Sequence, residues 1–400
     1  MKILQINAIY GRGSTGRMVK EMHEYFLSKG HDSIVFASNY HGNENKIFNI
    51  GCKVDYLWHS FMSKLTGLQG YYSIISTLHL IHHIDRIKPD IVHLHNLHSN
   101  YINLPILFRY LKKEKLAVAI TLHDFWFMTG HCCYFTNNNC VKWQKTCGKC
   151  PAIKTYNNSW FFDNSTWLRA KKESFFLGLK KLAVIGNSKW TTSEASKSFL
   201  RKATILDNVY NWINTDVFYP RGKKICRDKY GYIKSDFIIL GVAVRWNNLK
   251  GLCTFEQLAI RNPNYKFLLV GDLIEHRELP PNLKLVGVVK DANILAEYYT
   301  LADVYINPSI QETFGLVTAE AISCGTPVIA NDATATPELV LPGCGYTTEN
   351  NNIEEIESCI SRIQNEVWDP EEMHNKADKS FGKCNIDKYL DIYQRLLSHD

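Results

Sequence analysis

A chain of 400 residues is long enough for two domains of ordinary size, each burying its own core, and 45% hydrophobic with 21% charged residues excludes disordered and fibrous classes. The net charge of +7 suits an anionic ligand or a lipid surface and is too mild to argue nucleic-acid binding. No apolar run reaches the ~18 residues of a membrane span. The N-terminus, MKILQINAIYGRG, reads as a strand, not an export signal, so a cytoplasmic location is expected.

In chain order, the strand Lys2 to Asn7 is followed by Gly11, Gly13 and Gly16 and then an amphipathic helix from about Thr15 to Lys29. Such a loop brings a phosphate or sugar against a helix N-terminus. The second strand, Ser33 to Ala37, ends in Ser38-Asn39, without the acidic residue that a dinucleotide ribose needs. A polar and aromatic connection leads to a helix, Tyr72 to Ile87, and a strand, Ile91 to Leu94, whose end carries His93, His95, Asn96 and His98. Strand alternation is expected to put these histidines on different faces, which argues against a joint metal site. A helix, Leu104 to Lys115, precedes the strand Val118 to Leu122, which delivers His123 and Asp124 to a ligand-facing end.

Five cysteines fall between Thr129 and Pro151, two of them in the Cys-x-x-Cys knuckle Cys147 and Cys150. With Cys140 and Cys132 (or Cys133) they supply four thiolates, enough to close a tetrahedral structural zinc site, and His131 is a substitute ligand. Disulfides and plain reduced thiols compete with that reading. Trp167 to Leu182 is a basic amphipathic helix that either rests on anionic lipid or packs on the sheet with a solvated basic face. The strand Ala183 to Gly186 closes this half, and Asp207 to Pro220 reads as the crossing between domains.

The second half opens with the strand Phe237 to Val244, then Arg245, and Lys250-Gly251 at a helix start, where two cations can hold a diphosphate. Strands Tyr265 to Val270 and Leu283 to Val286 follow, the latter leading into Gly287-Val288. Asp303 to Ile306 is a strand, Glu312 lies in the next loop, and a helix begins near Phe314 or Gly315, carries Glu320 and stops at Gly325 before Pro327. The N–H groups around Thr313, Phe314, Gly315 and Leu316 make an anion seat. A helix from Asn385 to Leu397 ends the chain.

Glu312 and Glu320 around Phe-Gly, preceded by Asn-Pro-Ser and followed by Gly-Thr-Pro-Val, resemble the donor site of the retaining glycosyltransferases of family four. The run KPDIVHLHNLHSNYINLPILFRYL, then TLHDFWFMTGHC with Trp143 and Cys-x-x-Cys-Pro, resembles the branch that builds colanic-acid-type capsular and exopolysaccharides. The resemblance implies an α/β GT-B fold, two Rossmann-like parallel-sheet domains facing a central cleft. Residues 1–206, with the Cys-rich insertion 129–151, would bind acceptor; 207–384 would bind donor; 385–400 would return to the first domain. It implies transfer of a sugar from a UDP-, GDP- or ADP-sugar to a saccharide or lipid-linked saccharide, with peripheral membrane contact and no cofactor for the chemistry. His123, Asp124 and Glu312 would be catalytic. Gly13, Gly16, Arg245, Lys250, Val288, Thr313, Phe314, Gly315, Leu316 and Glu320 would bind donor, with Asp124 positioning His123. At the crossing, Trp212 or Asn211 stands where the family has glycine. A nucleotide-sugar epimerase of the same fold and a zinc-stabilised nucleic-acid-binding protein are the alternatives.

Overall fold

The computed structural model describes residues 1–38, 40–155 and 158–399; Asn39, at the expected end of the second strand, lies outside them. The chain divides into two compact units. Met1–Asn187, Thr191–Val209 and the chain from Ile386 onward form the first, and Ser188–Trp190 with Tyr210–Asn385 the second.

Along the first part of the chain run β1 (Lys2–Asn7), α1 (Gly13–Ser28), β2 (Asp32–Ala37), β3 (Ile47–Asn49), α2 (Lys53–Thr66), α3 (Ile74–Ile87), β4 (Ile91–Leu94), α4 (Leu104–Lys113), β5 (Ala117–Leu122), α5 (Ser165–Leu177), β6 (Leu182–Gly186), α6 (Lys189–Ser196) and β7 (Ile205–Asn208). The strands make one parallel sheet in the order β3-β2-β1-β4-β5-β6-β7. Every residue of β5 is buried, as a strand covered on both faces requires. Register pairs Ile6 with Leu94 and Leu94 with Ile120. The glycine loop, the His95–His98 segment and His123-Asp124 therefore leave the sheet at the same edge, where ligands of parallel sheets bind.

Two expectations change here. The connection before α3, read as polar and aromatic, contains the helix α2, whose apolar residues Val54, Leu57, Trp58 and Phe61 turn outward. The basic helix ends at Leu177, and its basic residues divide: Arg169 and Lys172 are buried, while Lys171 is exposed. Arg169 donates to the Trp143 carbonyl and pairs with Glu173, and Lys172 donates to the carbonyls of Trp126 and Thr129.

The second unit contains α7 (Lys223–Tyr230), β8 (Ile238–Trp246), α8 (Leu252–Arg261), β9 (Lys266–Leu273), β10 (Leu283–Gly287), α9 (Ala292–Leu301), β11 (Val304–Asn307), α10 (Leu316–Ser323), β12 (Val328–Asn331), β13 (Gly345–Thr348), α11 (Ile353–Asn365) and α12 (Pro370–Phe381). Its sheet is parallel, in the order β10-β9-β8-β11-β12-β13. Successive residues point to opposite faces, so Ile238 and Leu240 join one core layer and Ile239 the other. Asp303 fastens β11 to β8, accepting from Ile238 N at 2.7 Å and Arg227 at 2.5 Å. After β12 the chain makes a short 3₁₀ turn, Thr336–Leu339. The last helix, α13 (Asn385–Ser398), belongs from Ile386 to the first unit, where Tyr393 bonds His93 Nδ1 at 2.6 Å.

Candidate active site

In the first unit the glycine loop is closed by Gly11 N–H donating to Gly16 O at 2.8 Å. A side chain at Gly16 would press on Ile9 at 3.1 Å, so the loop lies tight on the end of β1. Asn7 ties the loop to the neighbouring strand, donating to Ile9 O and accepting from Asn96 N–H.

Behind this edge runs a buried chain of polar groups. Gln5 Nε2 bonds Ser33 Oγ at 3.5 Å, and Ser33 contacts His23 Nδ1 at 2.9 Å. Gln5 Oε1 lies 3.3 Å from His95 Nε2, and His95 Nδ1 lies 3.0 Å from His123 Nε2. The Gln5 oxygen can only accept, so a neutral His95 carries its proton on Nε2 and accepts at Nδ1. His123 then donates through Nε2, which leaves Nδ1 as its acceptor nitrogen. His93 is held by Thr121 and Tyr393. His93 and His95 are not on different faces: two residues apart on a strand, they share one, with ring centroids 4.0 Å apart.

Asp124 bonds His98 Nε2 at 2.6 Å and caps Trp126 N–H at 2.9 Å. Burial alone would raise its pKa, but the His98 contact and the Trp126 amide hold it below the usual carboxylate value. Cys133 completes this corner. Its sulfur and the ligand atoms of His98 and Asp124 lie within 4.8 Å of one another, the one such trio among the described residues. Lys172 sits over the Trp126 ring at 3.5 Å, and burial pushes its pKa down to about 7.

In the second unit, Gly251 has φ +77°, and a Cβ there would lie 2.3 Å from Pro308. Only glycine lets the Lys250 turn rest on the Asn307-Pro308-Ser309 loop, and Ile310 N–H closes the contact on Leu249 O at 3.2 Å. The two loops thereby bring Lys250 Nζ to 2.6 Å from Glu312 Oε1. Asn247 caps the Lys250 turn, while the Glu312 backbone is held by Thr334 Oγ1 and Ala335 N. Gly315, with φ +101°, opens α10, and Leu316 is its first residue. Phe314 is buried against Tyr210 and Phe381. Glu320 is buried and accepts from Tyr299 OH at 3.0 Å. Arg245 is exposed at the end of β8 and, among the described residues, makes no ion pair; Val288 is exposed beyond β10. Gln5, Lys172 and Tyr299 escape the sequence reading, although Gln5 is a polar residue inside the apolar run KILQIN.

Two doubly wound parallel sheets with polar side chains gathered at their strand ends are the architecture of the GT-B fold. Residues 15–217 match the model of Glycosyltransferase Family 4, and residues 233–380 that of Glycosyl transferases group 1. The chain belongs to glycosyltransferase family 4 and is a glycosyltransferase. It is 23% identical over 330 residues, 77% of either chain, to a protein named as the colanic acid biosynthesis glycosyl transferase WcaC of Escherichia coli (strain K12). It is 24% identical over 420 residues, 98% of this chain and 100% of the other, to an uncharacterized 42.6 kDa protein in the cps region of Klebsiella pneumoniae. Anabaena Alr3699/HepE, solved with UDP-glucose, superposes with a TM-score of 0.66 over all of both chains at 15% identity, a likeness of fold.

Burial lowers the pKa of His23, His59 and His123 to about 4, of His93 to about 3, and of His95 well below its usual value. All five are neutral in the folded state at pH 7. As the pH falls below about 6.5 the unfolded chain takes up protons that the folded chain refuses, so stability present above 6.5 is lost toward 4. Each such histidine costs about 1.4 kcal/mol per pH unit in that window. Calorimetric melting between pH 7 and pH 5 should show a steep fall; a flat melting temperature would contradict the neutral network.

Proposed function

We propose that this glycosyltransferase moves a sugar from a nucleoside-diphosphate sugar to an acceptor hydroxyl, with retention at the anomeric carbon, in the assembly of a cell-surface polysaccharide. The Lys250–Glu312 pair beside the start of α10 carries the reading. Breaking the sugar–phosphate bond builds negative charge on the β-phosphate, and the barrier falls where fixed donors meet that charge. Lys250, Arg245 and the first amides of α10 supply cations and N–H groups of the right kind. Glu312 holds Lys250 in place until the diphosphate replaces it, and then turns to the sugar hydroxyls. Glu320, oriented by Tyr299, takes the ribose hydroxyls. His123 meets a sugar or acceptor hydroxyl, and the His98–Asp124 pair fixes the backbone that carries it. The acceptor is a saccharide, borne on lipid, which brings the enzyme to a membrane surface. The relatives' names, with their colanic acid and cps region, support this substrate class.

UDP, or else GDP or ADP, should raise the melting temperature without divalent metal, since a ligand of the native state alone stabilises it. No shift with any of the three, alone or as sugar conjugates, would remove the donor reading. Lys250→Ala should retain the fold and lower kcat by about 10² to 10³, the scale of one lost charge-stabilising group. A wild-type rate of nucleoside diphosphate release would refute the assignment.

We further infer a structural zinc site. Cys132, Cys140, Cys147 and Cys150 line one small cavity with His131. The free thiols of Cys132 and Cys150 share a hydrogen bond, Gly130 N–H donates to Cys147 Sγ at 3.3 Å, and Gly148 and Lys149 turn the knuckle with positive φ. Cys133 faces the His98–Asp124 pair instead. Among the described residues no three of these sulfurs lie within 4.8 Å of one another, so the metal would have to draw them together; four thiolates with no open position would then make a staple, not a catalytic metal. Elemental analysis should find about one zinc per chain, lost in Cys147→Ser with a fall in melting temperature; a metal-free chain with wild-type melting after chelation would exclude the site.

A further inference from the structure

Helix α2 is inside out. It buries His59 and Ser63 and turns Val54, Leu57, Trp58 and Phe61 to solvent, with Val54 74% and Trp58 55% exposed. The i, i+3, i+4, i+7 spacing of those four makes an apolar stripe that a helix ordinarily packs inward. Hydrogen bonds fix this orientation: His59 Nδ1 meets Ser73 Oγ at 2.7 Å, Gly70 N–H donates to His59 Nε2, and Ser63 Oγ reaches Asn100 Oδ1. The first turns of α3 repeat the inversion. Ser76 and Thr77 are buried and bonded to Asp55 and the Ser73 carbonyl, while Ile75 is 81% exposed and Leu78 stands out beside it.

A second exposed run, Trp160, Phe161 and Phe162, is fastened to α2. Trp160 N–H donates to Lys64 O at 2.7 Å, the Phe61 and Trp160 rings are 5.9 Å apart, and Asn164 Nδ2 donates to Thr66 O. Single exposed apolar side chains are ordinary on a soluble protein; a joined aromatic surface of this kind is not. Its charge is equally one-sided. Lys53 and Lys64 stand near the two ends of α2, Lys154 donates to Trp160 O, and Lys171 lies over the exposed Trp167 ring at 5.4 Å. The nearby acids, Asp55 and Asp163, are engaged by Ser76 and by the amides of Cys150 and Ser165.

We propose that this face, built from α2, the start of α3 and the 160–162 turn, seats the protein on an anionic lipid bilayer. Tryptophan and phenylalanine rings flanked by lysines match the interfacial zone of a membrane, with the rings in the headgroup boundary and the amines on lipid phosphates. A second copy of the chain would instead oppose lysine to lysine. The seat differs from the one expected on α5, whose Arg169 and Lys172 are committed internally. The inference rests on the lipid-borne acceptor proposed above, and names the surface that would meet that lipid.

The full chain should sediment with vesicles of equal parts phosphatidylglycerol and phosphatidylcholine, bind pure phosphatidylcholine far less, and show a blue shift of tryptophan emission on the former. Trp58→Asp with Phe161→Asp should weaken that partition by about tenfold or more while leaving the melting shift with UDP unchanged. That shift reports folding and donor binding separately from the lipid seat. Wild-type protein that stays in the supernatant with both vesicles, a double variant that partitions as wild type, or a concentration-dependent dimer abolished by the same pair would each overturn the proposal.

Discussion

The candidate site of the second unit depends on one close approach, the Gly251 backbone against Pro308. Remove the space for it and the Lys250 turn lifts from the loop after β11, separating an ammonium and a carboxylate that now stand 2.6 Å apart. The ion pair is partly exposed, so its contribution to stability is small. Its value is positional, because it keeps a cation and an acceptor oriented without ligand. The neighbouring asparagines serve the same end: Asn307 bonds Thr318, Asn331 donates to Ser309 O, and Asn351 to Pro308 O. The loop after β11 is thus made stiff by side-chain hydrogen bonds where no strand or helix can hold it.

The first unit solves a different problem. Its sheet is buried on both faces, yet β1, β4 and β5 carry Gln5, His93, His95 and Thr121 into the interior. Each would be costly alone. Linked in sequence they satisfy one another, and the link sets which nitrogen of His123 carries the proton. Desolvation keeps the imidazoles neutral, which suits a group that must accept a hydrogen bond rather than carry charge.

Much of this was legible beforehand. Apolar runs such as AVAIT and FIILGV read as buried parallel strands, and Gly325 with Pro327 marks the end of α10. Glu312, Glu320, Arg245 and Lys250 stand out because polar residues after a strand of a βαβ unit face the ligand edge. The Lys250–Glu312 bond was not legible, since it arises from Gly251 packing on a loop far along the chain. The spacing of Val54, Leu57, Trp58 and Phe61 is enough to give helix α2, but not that its stripe faces out, which the buried bonds of His59 and Ser63 decide. Helix α12 carries its own start signal, the Asp369 cap followed by Pro370. The pairing of Asp124 with His98 follows from tertiary packing that strand alternation alone does not specify.

The hydroxyl of Tyr393 that completes the His93 environment comes from the fourteen-residue segment at the far end of the chain, 300 positions away. During synthesis the N-terminal sheet therefore waits, with a buried imidazole nitrogen lacking this partner, until the second unit that lies between them in the chain has been made. The half made first is finished last, so maturation of the two halves is coupled through the order of translation itself.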